Sequence, residues 1–188
     1  MGKACYRRRR RGVICGGQDG AALVEFALVL PLFLILVFGI ISFGLLFNHK
    51  LSLTDGAREA GRFGATLPVT NFAASGDPMQ DWLDTITARA IADATGSLDP
   101  GVENRTICVA YVYPDGTAGV DETRRRFESS GVVVYSREPC FVDGRPTNER
   151  RVQVQVGRDA DLEAIFFSTT VTLNGESVTR FEASLVAS

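Results

Sequence analysis

The sequence predicts an α+β protein with a long N-terminal membrane helix, a second helix, and a four- to five-stranded antiparallel sheet. Three observations carry this. Phe26 to Phe47 is a run of 22 residues without a charge. At about 1.5 Å of helical rise each, they reach roughly 33 Å, enough for a bilayer core of about 30 Å. Helical periodicity then continues to about residue 94, and beyond Asn104 the pattern turns to β-branched and alternating residues. Helices first and strands last is the order of an α+β domain.

The chain opens with a basic leader. Residues 1–20 hold Lys3 and Arg7 to Arg11 against Asp19, +6 − 1 = +5, so the other 168 of the 188 residues carry −2 − 5 = −7. Basic residues beside a span mark the cytoplasmic side, which predicts a cytoplasmic N-terminus and an exported body. The acidic body argues against nucleic acid as a partner, because phosphate binding needs positive charge on the folded part. A secretory signal peptide fits poorly: the apolar stretch is too long, and no small-residue cleavage site follows it. The expected division is 1–20 leader, 21–67 transmembrane helix with an extracytoplasmic extension, and 68–188 head domain.

Two features of the span are unusual. Glu25 sits just inside its N-terminal end, and Gly20 stands five residues earlier. A carboxylate at the edge of hydrocarbon calls for a cation or a route to the interface. Cutting the chain after Gly20 would make the α-amino group of Ala21 such a cation.

After the span, Leu46, Leu53, Ala57, Ala60 and Phe63 keep helical spacing, and Pro68 is available as a stop. Small residues recur at four-residue steps: Gly56, Ala60 and Gly64 in one row, Ala57, Gly61 and Ala65 in the next. Each row lies along one helix face, where another backbone can approach closely.

The second helix starts at Asp77-Pro78, with Asp77 as cap, Pro78 in the first position and Gln80 completing a capping box. Its stripe is Met79, Trp82, Leu83, Ile86, Ala90, Ile91 and Ala94, and Gly96 ends it. The lone tryptophan reads as a core anchor. Thr106–Tyr113 and Val132–Ser136 read as strands, the first closed by the Pro114-Asp115-Gly116 turn. Between them, Val120–Ser130 with its three arginines reads as a solvated loop. Val152, Val154 and Val156 alternate with polar residues over Arg151–Val156, a half-exposed strand. Asp161–Phe167 reads as a helical turn, and Thr169–Leu173 with Ser177–Ala183 as a hairpin about Asn174-Gly175.

Cys5 and Cys15 lie in the leader on the reducing side. Cys108 and Cys140 lie in the exported part, where a disulfide can persist, and their pairing is the expectation. Catalytic signatures are lacking. The one histidine, His49, stands where the span ends, and no metalloprotease helix, nucleophile elbow, C-x-x-C or phosphate-binding loop is present. The acidic groups Asp81/Asp84 and Asp159/Asp161/Glu163 lack calcium-loop spacing. No enzyme and no cofactor is expected.

The run Gly20-Ala21-Ala22-Leu23-Val24-Glu25-Phe26-Ala27-Leu28-Val29-Leu30-Pro31, with Ala57-Arg58-Glu59-Ala60-Gly61-Arg62 after the span, resembles the N-terminus of the TadE-like pseudopilins. These belong to the tight-adherence (Flp) branch of the type IV pilus systems. The resemblance covers about residues 18–66. It implies a type IV pilin-like fold, with Ser177–Ala183 as counterpart of the family's terminal strand. It further implies that a prepilin peptidase cuts after Gly20, reading Gly20, Ala21, Glu25 and Phe26. The implied partners are that peptidase, other pilin and pseudopilin subunits, an inner-membrane pilus assembly platform and membrane lipid. The implied location is a single pass through the inner membrane, with possible incorporation in the pilus. The competing expectations are an uncleaved single-span anchor with a protein-binding head, and a membrane-tethered enzyme.

Overall fold

A computed structural model describes residues 19–69, 77–102, 104–113, 123–145, 149–164 and 167–183. The basic leader with Cys5 and Cys15, the Pro114-Asp115-Gly116 turn and most of the loop at 69–76 lie outside the described residues. The architecture is α+β: helix α1 (Asp19–Thr66), helix α2 (Pro78–Asp93), then strands β1 (Thr106–Val112), β2 (Arg124–Ser129), β3 (Val132–Ser136), β4 (Arg151–Ala164) and β5 (Phe167–Arg180). The chain divides into two compact units, Met1–Ile41 and Ser42–Ser188.

The first unit is, in its described part, helix. Its large apolar side chains are exposed from Leu23 to Leu36 and at Phe38, Ile40 and Ile41, and α1 is long and apolar enough to cross a membrane. Pro31 lies inside the helix, where it removes one backbone donor.

The second unit packs the C-terminal part of α1 and all of α2 on one face of the sheet. Strand order is β3-β2-β1-β4-β5, every neighbour antiparallel. On β1 and β4, Ile107, Val109 and Tyr111 with Val152, Val154 and Val156 supply the sheet side of the core. Leu53, Ala57 and Ala60 of α1 and Trp82, Leu83, Ile86 and Ala90 of α2 supply the helix side. Trp82 is fully buried, edge-on to Tyr111 and Phe181 with ring centroids 6.0 Å away in each case, and its Nε1–H donates to Leu67 O at 2.9 Å. Helix α2 starts as its sequence predicts: Asp77 Oδ1 accepts from the backbone N–H of Met79 and Gln80, and Pro78 opens the helix.

Four expectations are corrected. Arg151–Val156 is not half-exposed: Arg151 and Gln153, on its polar face, are buried as well, held by Asp143 and by the loop at Cys140. The arginine-rich insert is in part a strand, β2, because its charges find partners across the fold. Arg126 pairs with Asp84 of α2 at 2.5 Å and with Glu128 at 2.9 Å, and Arg125 pairs with Glu138 at 3.1 Å. Asp161 to Ala164 is strand, not helical turn: the alternation of Val152, Val154 and Val156 runs on through Arg158, Ala160 and Leu162. Asn174-Gly175 is not a hairpin turn either. It lies within β5, with Asn174 opposite Gly157 and Gly175 opposite Val156. Gly175 is there for close approach, since a Cβ on it would stand 2.6 Å from Leu53 O and 2.7 Å from Leu53 C.

Candidate functional site

The candidate site is the N-terminal helix. Gly20 and Ala21 fall in the first turn of α1, and Glu25 and Phe26 follow on the same helix, both exposed. In a helix, Ala21 and Glu25 stand at i and i+4, one above the other on one face. Phe26 lies about 100° further round.

Further along α1, the two rows of small residues meet parts of their own chain. At Gly56 an added Cβ would lie 3.1 Å from Ala90 O and 3.1 Å from Ala94 N, so the backbone of α2 crosses there. At Gly64 it would lie 2.5 Å from Ile86 Cδ1, and Ala60 between them is fully buried. The neighbouring row faces β5 and its continuation. A Cβ on Gly61 would lie 2.9 Å from Ser177 Oγ, and Ala65 O accepts from Glu182 N at 2.9 Å and Ala183 N at 3.1 Å. The helix-packing residues Gly56, Ala60 and Gly64 therefore join α1 to the head within one chain.

Cys108 on β1 and Cys140 after β3 are bonded, with Cα atoms 5.9 Å apart. The same loop is held by fully buried Gln153, whose Oε1 accepts from Cys140 N at 3.0 Å and whose Nε2 donates to Phe141 O at 2.9 Å and Asp143 Oδ2 at 2.8 Å. Burial pushes the Asp143 carboxyl up. The donors Gln153 and Arg145 N, with Arg151 at 2.6 Å, outweigh that and hold it below the usual carboxylate range.

A buried ion-pair chain is what sequence reasoning missed. Glu128 lies between Arg105 and Arg126, all three side chains about a tenth exposed or less. Arg126 reaches on to Asp84, which also accepts from Tyr135 Oη at 2.9 Å. Burial, then the bond to Asp84, pushes the Tyr135 phenol up. The only signal in sequence was the odd placing of Glu128 after three arginines. His49 hydrogen-bonds Ser97 Oγ at 3.2 Å and faces no second titratable base in that contact. Among the described residues, no group of three His, Cys, Asp or Glu side chains stands close enough to hold a metal ion.

Residues 20–62 match the family model described as TadE-like protein. No curated protein and no solved structure matches the chain. The match takes in the motif at Gly20–Phe26, the apolar run and the Ala57–Arg62 segment, and it ends before the head's second helix. Residues 20–62 thus resemble a TadE-like protein, and the rest of the chain lies outside the match.

Proposed function

We propose that the protein is a non-catalytic, prepilin-like minor subunit of the tight-adherence pilus system. Its N-terminus lies in the cytoplasm and its head outside the membrane. A prepilin peptidase removes residues 1–20, and the shortened helix joins other pilin and pseudopilin subunits at an inner-membrane assembly platform. The observation that carries the reading is the TadE-like match beginning at Gly20 itself.

The geometry of α1 gives it a physical rationale. An isolated carboxylate in a span costs about 2.5–3.5 kcal/mol at mid-helix and less near an end. Cleavage at Gly20–Ala21 places a new ammonium one helical turn from Glu25. In a bundle of parallel helices shifted along their axes, the same ammonium can meet Glu25 of a neighbouring copy.

Co-expression with a prepilin peptidase tests this. The mature chain should begin at Ala21, and Gly20→Leu should leave it uncut. Glu25→Gln should still be cut and should fail in assembly. A chain that keeps residues 1–20 beside an active peptidase refutes the processing step and leaves an uncleaved anchor.

A further inference from the structure

Beyond Gly157, where β1 ends its pairing with β4, the last two strands continue alone as a ribbon, from Arg158↔Leu173 to Ala164↔Phe167. This ribbon runs beside residues 42–54 of α1. Gly175 packs on the backbone of Leu53, and Lys50 Nζ donates to Asn174 O. Further out, Arg158, Ala160, Asp161 and Leu162 line a cleft with Leu45 and with Ser42, Leu46 and His49 of α1. Those three helix positions, at i, i+4 and i+7, form one face of α1 and are partly covered.

Away from the cleft, the same helical turns are bare: Phe43 is 69% exposed and Phe47 63%. Two phenylalanines one turn apart, continuing the apolar run, belong in an apolar medium rather than water. The ribbon flanks the same turns, so it shares their depth. Its chemistry suits a boundary. Asp159 and Asp161 are satisfied within the ribbon by Thr172 and Thr170, each at 2.7 Å.

We infer that the β4–β5 ribbon is a membrane-contacting element: its residues 158–162 and 168–173 rest in the interfacial layer of the bilayer from which α1 emerges, against lipid acyl chains. The partner is a lipid surface. The ribbon fixes the head at the membrane while the span holds it there, and amphipathic elements settle at about 5–10 Å into that boundary. The inference rests on α1 being a membrane span.

Quenching by lipid brominated at shallow acyl positions tests it, with the full-length protein in phosphatidylcholine vesicles. Trp82, buried in the head core, supplies the wild-type baseline. Thr169→Trp and Ser168→Trp, on exposed ribbon positions, should each lose more emission than that baseline. Val132→Trp, on the opposite edge strand, should stay at it. Phe33→Trp reports the span itself and should be quenched. If Phe33→Trp is quenched while both ribbon variants behave like Val132→Trp, the ribbon inference is overturned and the span stands. If Phe33→Trp is not quenched, the span reading falls and takes the inference with it.

Discussion

Gly175→Ala distinguishes two roles for that glycine by the sign of its effect. In a strand with open space, replacing glycine by alanine stabilises, because the unfolded chain loses freedom; the gain is about 0.5–1 kcal/mol. In this fold the new Cβ meets Leu53 O at 2.6 Å, Leu53 C at 2.7 Å and Thr54 N at 2.9 Å. All three are backbone atoms of α1 and cannot rotate away. Relief requires the helix to part from the sheet, an overpacking cost of about 1–3 kcal/mol, so the net effect is destabilisation by roughly 1–2 kcal/mol. Gly64→Ala is the graded comparison. There the closest atom is the terminal Cδ1 of Ile86, which has rotamer freedom, and a smaller loss is expected. Gly101→Ala, with nothing within 4 Å, is the neutral reference. Urea denaturation of the detergent-solubilised chain, followed by the emission of Trp82, gives the three values from midpoint shifts at constant slope. A Gly175→Ala protein as stable as the parent, or more so, refutes the claim that α1 and β5 meet at this position.

Other perturbations probe the head. Glu128→Gln removes the anion between Arg105 and Arg126 and leaves two buried guanidinium groups short of a partner; a loss of about 3–5 kcal/mol is expected in the same denaturation assay. Cys108→Ser with Cys140→Ser releases a bond across a sequence separation of 32, and stability should fall by roughly 3–4 kcal/mol. Asp143 has a carboxyl held below its unfolded value, so its stabilisation is complete above about pH 4 and declines as pH falls through the lowered folded value. Asp143→Asn should flatten the acid limb of a stability–pH curve and leave its slope near neutrality unchanged.

Much of this protein is legible in its residues because the governing rules are local. Length and lack of charge give the membrane-competent helix, Asp77-Pro78 gives the start of α2, and the valine alternation gives β4. The motif at Gly20–Phe26 can be read without a fold because it is a pattern of neighbours along one helix. Errors arose where a residue's meaning lies in what stands opposite. Three arginines in succession look like a solvated loop until Asp84 and Glu128 are brought to them. Asp161 looks like the start of a helical turn until Thr170, opposite it on β5, completes the ribbon.

The sequence alone determined that helices precede strands, the charge asymmetry about the apolar run, and the chemistry available near Gly20 and Glu25. Periodicity and hydropathy act over one or two turns, so they survive without tertiary information. Only the tertiary structure decided that Asn174-Gly175 is a place of contact rather than a turn. It also decided that the small-residue rows of α1 receive α2 and β5 of the same chain. Close approach and ion pairing depend on distances between segments far apart in sequence, and no local pattern encodes those distances.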